Sequence, residues 1–294
     1  MADTAELALD AQAQLGEGAI WHAQAQRLYW VDIVKGEVHI YDPHSGADWM
    51  IDVGQSVGTV VPRQKGGLMV AVKAGFASLD LESGALTVVA SPEPDLPMNR
   101  FNDGKCDPAG RFWAGTMDTV NPVLPGAGSL YCLDADHKVR RAVSPVAISN
   151  GLAWSADKAT FYFIDSLAQS VDAFDYDDET GEIRNRRTVI SIAKETGLPD
   201  GMTIDAEGML WVALWGTGRV GRWNPADGKL VQSVEVPASQ TTACAFGGPN
   251  LDELYITSAR VGLNAAALAG EPHAGGLFRA RPGVRGVEAF EFAG

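Results

Sequence analysis

The sequence predicts an all-β fold, a six-bladed β-propeller with four-stranded blades, and three observations carry that expectation. A short run of large apolar and β-branched residues recurs six times along the 294 residues at nearly even spacing. Each run is followed by a second strand-like run and a turn rich in Gly, Pro, Asn or Asp. No sustained 3.6-residue amphipathic pattern interrupts them.

The six runs begin at Leu28, Leu68, Phe112, Phe161, Leu210 and Leu254, separated by 40, 44, 49, 49 and 44 residues. Their followers, in the same order, begin at Val38, Phe76, Ser129, Val171, Val220 and Gly276, and each ends at a turn such as Pro43-His44-Ser45-Gly46 or Pro282-Gly283. A period in this range marks a repeat architecture. Units of this size cannot bury both sheet faces alone, and stacking them radially about an axis solves the problem of the open edges. A β-sandwich also contains repeated short strands, but it gives no reason for six similar units of near-equal length. No linker or shift of composition divides the chain, so residues 1–294 read as one domain. Ring closure is expected to pair the N-terminal segment 6–14 with the C-terminal segment 286–292.

Composition is that of a globular protein, with 46% apolar and 20% charged residues. The 33 Gly and 15 Pro fit a chain with many turns. A net charge of −14 without a long run of one sign describes a solvated acidic surface, which repels nucleic acid and anionic membranes and suits collection of a cation. No basic and apolar leader and no membrane-spanning stretch is present, so a cytoplasmic monomer is expected, with no nucleic-acid or membrane partner. Cys106, Cys132 and Cys244 are odd in number and lack metal-site spacing, and read as small core residues.

Loops that emerge at one end of a propeller converge on the channel mouth, so polar residues just outside the strands are the ones to inspect for chemistry. Four stretches stand out, each centred 10 or 11 residues before the apolar run of its unit: Gly16-Glu17-Gly18, Asn99-Arg100-Phe101-Asn102-Asp103-Gly104, Ser149-Asn150-Gly151, and Pro199-Asp200-Gly201. Any one Asn-Gly or Asp-Gly is more often a turn. Their common place in four units points them at one axis instead. Glu17, Asn102, Asn150 and Asp200 together form an all-oxygen set suited to a hard divalent cation, with no imidazole or thiolate.

The same stretches resemble the SMP-30/gluconolactonase/regucalcin family. The likeness is most specific in Asn99-Arg100-Phe101-Asn102-Asp103-Gly104-Lys105 and its continuation Asp107-Pro108-Ala109-Gly110-Arg111-Phe112-Trp113-Ala114-Gly115-Thr116-Met117, and it extends to Phe246-Gly247-Gly248-Pro249-Asn250 and Thr257-Ser258-Ala259-Arg260. The resemblance implies a six-bladed propeller, a single divalent metal ion and hydrolysis of a sugar-acid lactone, the small-molecule partner. Carried over to matching positions, it implies Glu17, Asn150 and Asp200 as metal ligands, Asp200 also as general base, and Arg100 and Asn102 as substrate-binding residues. Val120 stands where animal members carry an acidic residue that contacts the sugar, so their sugar specificity does not transfer.

Such a site would hydrolyse the lactone with the metal as Lewis acid, Asp200 taking a proton from water, and Arg100 orienting the hydroxylated ring. Oxygen ligands suit Ca²⁺, Mg²⁺ or Mn²⁺, and Zn²⁺ or Fe²⁺ can occupy the same kind of site. Serine-nucleophile chemistry is disfavoured, because no Gly-x-Ser-x-Gly elbow is present. Of the five histidines only His22 borders a site motif, and Trp215 reads as a buried aromatic more readily than as a channel wall. Two other functions fit the same parts: a calcium-binding regulatory propeller without turnover, and a hydrolase of organophosphates or other esters.

Overall fold

The computed structural model describes residues 3–121 and 126–294, and they form six four-stranded antiparallel blades around a central channel. Blade 1 runs through Gly16–His22, Arg27–Asp32, Glu37–Tyr41 and Asp48–Asp52, from the channel outward. Blade 2 has Val57–Pro62, Leu68–Val72, Gly75–Leu79 and Leu86–Ala90. Asn99–Cys106, Phe112–Asp118, Gly128–Leu133 and Val139–Val146 make blade 3. Blade 4 follows with Ser149–Trp154, Thr160–Asp165, Ser170–Tyr176 and Ile183–Ser191, and blade 5 with Leu198–Ile204, Leu210–Trp215, Arg219–Asn224 and Lys229–Glu235. In blade 6, Thr241–Gly247, Glu253–Ser258 and Leu277–Ala280 come from the end of the chain and Glu6–Leu9 from its beginning. Each apolar run recognised in the sequence is the second strand of its blade, and each follower is the third.

Ring closure differs from the expected pairing. Glu6 pairs with Arg279 and Leu7 with Phe278, whereas residues 286–292 contribute only isolated bridges, Gly286 to Asp205 and Phe292 to Arg63. The physical reason is that Leu277–Ala280 completes the repeat with an unpaired outer edge, which the N-terminal strand covers. The turn at Pro282-Gly283 then carries the rest of the chain away from the sheet. Asp3–Thr4 continues past the closure and pairs in parallel with Lys229–Glu235, so the N-terminus ties blade 6 to blade 5.

Blades pack face to face through residues that alternate along their strands. Trp113 and Trp211 are fully buried at the same place in the second strands of blades 3 and 5, and Trp30 is fully buried further along that of blade 1, at the bulge. In blades 3 and 5 an aspartate fixes that tryptophan: Asp107 accepts from Trp113 Nε1 and Asp205 from Trp211 Nε1, both at 2.9 Å. The same carboxylates accept backbone N–H groups of the turn that follows, from Ala109 and Arg111 and from Glu207 and Met209. The Asp107 to Trp113 portion of the long motif is therefore a blade-building device. All three cysteines are free and buried. Among the described residues no helix is long and apolar enough to cross a membrane.

The innermost strands share one irregularity that positions the site. In every blade the pairing between first and second strands slips near the start of the first, between Glu17 and Ile20, Val57 and Thr59, Phe101 and Gly104, Asn150 and Leu152, Pro199 and Met202, and Thr241 and Cys244. A bulge of this kind re-aims side chains and increases local twist. Close approach of neighbouring inner strands leaves no room for a side chain at two of these points. A Cβ on Gly151 would stand 2.9 Å from the Asp200 carbonyl oxygen, and one on Gly201 would stand 2.7 Å from Ala243 Cβ.

Candidate functional site

The sequence places the site residues in loops outside the strands; the structure places them within the innermost strands, at the bulges. Glu17, Asn102, Asn150 and Asp200 are all buried there, at the end of the channel where those strands begin. The slip in register lets consecutive polar residues leave the sheet together, which regular alternation would forbid.

A continuous hydrogen-bond chain links three blades. Arg100 Nη1 donates to its neighbour's carbonyl oxygen, Phe101 O, at 2.8 Å and to Asn102 Oδ1 at 2.7 Å. Asn102 Nδ2 donates in turn to Ser149 O at 2.9 Å and to Asn150 Oδ1 at 2.8 Å. Asn150 Nδ2 donates to Ser166 Oγ at 2.8 Å, and Ser166 Oγ to Pro199 O at 2.6 Å, beside Asp200. The chain fixes the Asn150 amide with its nitrogen toward Ser166 and its oxygen toward the channel network. Asn102 thus has both ends of its amide engaged, between Arg100 and Asn150.

Glu17 and Asp200 come from blades 1 and 5 and approach closely enough for one carboxyl to hydrogen-bond the other. Burial pushes Glu17 up to about 8, and the negative charge of Asp103 adds to the rise. Asp200 is raised as well, by burial first and then by Glu17 and Asp103. Burial also raises Asp103, against the pull of Lys105. The Arg100 guanidinium is pushed down to about 10 by burial, although Glu17 and Asp200 both favour its charge. Three buried carboxyls therefore act on one another beside Arg100, with Lys105 acting on Asp103 from beyond ion-pair distance, and each acid resists ionising without a further positive charge.

Two oxygens in this group, Asp200 Oδ1 and Asp103 Oδ2, are buried with no hydrogen-bond partner. Unpaired carboxylate oxygens in a crowded acidic site are what a divalent cation would satisfy, and it would relieve the mutual repulsion of the acids. Among the described residues no three His, Cys, Asp or Glu side chains converge into a ligand set by themselves. A set built from Glu17 and Asp200 needs an amide oxygen as its third protein donor, and the orientation of Asn150 fits that need.

Sequence reasoning missed three residues here. Asp103 and Lys105 were visible inside the long blade 3 motif, flanking Gly104 at the bulge. Ser166 follows the second strand of blade 4 in the short 3₁₀ turn Ser166–Ala168, outside the repeat phase that marked the others. Blades 2 and 6 supply threonines at the bulge: Thr59 Oγ1 donates to Gly104 O at 2.9 Å, and Thr242 Oγ1 bonds Thr257 Oγ1 at 2.8 Å. Trp215 is partly exposed rather than buried, because it ends the second strand of blade 5 beside Leu198. His22 lies at the other end of its strand and contacts Glu291 of the C-terminal segment at 2.9 Å. Val120 is 73% exposed in the turn after Asp118.

Comparison with known proteins agrees with this architecture. The SMP-30/Gluconolactonase/LRE-like region matches residues 15–260. Regucalcin of Macaca fascicularis is 44% identical over 293 residues, covering 98% of each chain. A solved luciferin-regenerating enzyme superposes with a TM-score of 0.92 at 37% identity, covering 99% of both chains. A calcium-binding protein, regucalcin, from Agrobacterium tumefaciens does so with a TM-score of 0.94 at 30% identity, over 99% of this chain and 98% of the other.

Proposed function

This chain belongs to the SMP-30/gluconolactonase/LRE-like family, and from that membership together with the channel geometry we propose that it is a metal-dependent lactonase that opens a sugar-acid lactone to the free acid. The observation that carries the reading is the meeting of Glu17 and Asp200, two buried carboxyls from different blades, beside the Arg100, Asn102 and Asn150 chain.

Glu17, Asn150 and Asp200 would hold one divalent ion. When bound, such an ion polarises the lactone carbonyl and makes a nearby water more acidic. Asp200, ligand and base at once, would accept a proton from the attacking water. The bond from water oxygen to the carbonyl carbon forms, the ring C–O bond breaks, and the proton held by Asp200 passes to the departing ring oxygen. Arg100 offers the donors not used on Phe101 and Asn102 to the hydroxyl and ring oxygens of the substrate, in the fork geometry that suits paired acceptors. Asn102 serves the substrate through Arg100 and the metal site through Asn150, since its carbonyl oxygen steadies Arg100 while its NH₂ steadies Asn150. The exposed Val120 supports a substrate whose sugar is not selected by an acid at that place.

Metal-free protein, reconstituted with Ca²⁺, Mg²⁺, Mn²⁺, Zn²⁺ or Fe²⁺ in turn and assayed on glucono- and pentonolactones, aryl esters and an organophosphate, tests the proposal. Turnover of lactones well above the other esters, dependent on one of the ions, is expected. Preference for the phosphate ester would replace the substrate class. A second reading, calcium binding without turnover, draws on the likeness to a calcium-binding regucalcin. It predicts saturable Ca²⁺ binding with every substrate left intact.

A further inference from the structure

The opposite end of the channel holds a cavity of about 370 Å³ that the proposed chemistry does not use. Its walls are the far ends of the same inner strands, and they are mainly apolar, with Trp21, Trp154 and Phe246 among them. Its mouth is crossed by residues 287–290 of the C-terminal segment, with Val287 and Phe290 facing it. That segment is pinned on both sides and free between. Gly286 N donates to Leu251 O and Ala206 N to Arg285 O on one side; Phe292 N donates to Pro62 O and Ala293 N to Gly110 O on the other. Among the described residues, 288–291 make no backbone-to-backbone hydrogen bond, so the stretch is a strap held at its ends.

Of the four charged side chains that line this apolar space, Lys105 lies deep in the fold without an ion pair among the described residues. Lys105 keeps part of its surface accessible, yet it sits on the innermost strand of blade 3 and lines the cavity. Its Nζ donates to Met202 O, and the acid that acts on its charge, Asp103, is not within ion-pair distance of it among the described residues. The other charged side chains of the wall are already engaged or lie outside. Asp205 is bound by Arg222 and Trp211, Lys158 pairs with Asp178 at 3.3 Å, and Glu288 is exposed on the strap. An ammonium in apolar surroundings with donors to spare calls for an anion. The size of the space, within the range of small-molecule pockets, calls for one with an apolar body.

We infer that this cavity is a second small-molecule site, which takes a monocarboxylate with an apolar body, its carboxylate on Lys105 and its body between the inner-strand aromatics and the strap. Entry requires residues 287–290 to lift, which leaves the backbone hydrogen bonds of Arg285, Gly286, Phe292 and Ala293 in place. The site shares inner strands with the lactone site and lies at their other end, so its occupancy is independent of whether lactones are turned over.

The test is calorimetric titration of the full chain with octanoate, heptanoate, hexanoate and octanamide. One octanoate per chain is expected, with affinity falling about fourfold for each methylene removed. Lys105→Met should weaken octanoate about tenfold or more while leaving octanamide nearly unchanged. Ala289→Trp, which fills the cavity from the strap and leaves Lys105 in place, should abolish octanoate binding and keeps the test decisive if the lysine variant does not fold. Absence of saturable binding, the same affinity for every chain length, or undiminished binding by Ala289→Trp would overturn the inference.

Discussion

The two ends of the channel are built by the same six strands and could hardly differ more in chemistry. At the end where the strands begin, Glu17, Asp103 and Asp200 crowd together with Asn102, Asn150 and Arg100. At the end where they finish, Trp21, Leu152, Trp154 and Phe246 line an apolar cavity together with Lys105. The difference comes from the bulge between the halves. Before and through it, polar residues leave the sheet together toward the axis; beyond it, ordinary alternation resumes and apolar residues face inward. The position of the bulge, more than the composition of the strand, decides which end can do chemistry.

The strongest way to break this contrast is to remove the group that acts only at the acidic end. Asp200→Asn keeps the shape of the side chain and should fold normally by circular dichroism, yet lose lactone turnover by a factor of about a thousand, within the usual reach of general acid and base catalysis. Turnover within tenfold of the wild type would move the base elsewhere.

Next in size is the response of metal-free protein to pH. Glu17 is raised in the fold to about 8 from an ordinary value of 4.5, and Asp200 moves in the same direction. At these two positions the folded chain therefore binds more protons than the unfolded chain above about pH 4.5, so their contribution to stability is full below that value and is lost as pH rises through about 8. Melting curves of the metal-free protein should show Tm dropping across this window. A divalent ion, by binding the ionised acids, should recover the loss and more at pH 8. A Tm independent of pH over this interval would mean that the acids are not strained by one another.

Ser166→Ala sharpens the same comparison at smaller scale. It takes the acceptor from Asn150 Nδ2 and the donor from Pro199 O while touching neither carboxyl. Loss of such a supporting contact is expected to weaken metal affinity about tenfold or somewhat more, measured by competition with a chelating dye. At the apolar end, Glu291→Ala removes the His22 contact next to the strap. That partly exposed pair should contribute at most about 1 kcal/mol, so Tm should shift little while amide exchange in residues 287–291 quickens.

Much of this was legible in the sequence, and the parts that were not share a cause. The apolar runs from Leu28 to Leu254 gave the blades because strand periodicity is local. Glu17, Asn102, Asn150 and Asp200 stood out because they fall at one phase of the repeat. Their seating on strands instead of loops was hidden, since a bulge is defined by a partner strand and leaves little trace in one segment. Closure was misassigned for a similar reason: residues 286–292 look able to pair, and only the open edge of Leu277–Ala280 shows that the partner of Glu6–Leu9 comes earlier. Ser166 lies outside the repeat phase and acts through Asn150, so only the folded chain brings it forward. Lys105 was in plain view within the long motif, but its environment depends on four other blades and the C-terminal strap.

The most direct test of the metal-dependent lactonase reading is a titration of metal-free protein with its preferred divalent ion, following hydrolysis of an aldonolactone at each step. No turnover is expected at the start, then a linear rise that saturates at one ion per chain and is absent in Asp200→Asn. Full turnover by the metal-free protein, or an ion-dependent rise that survives Asp200→Asn unchanged, would contradict it.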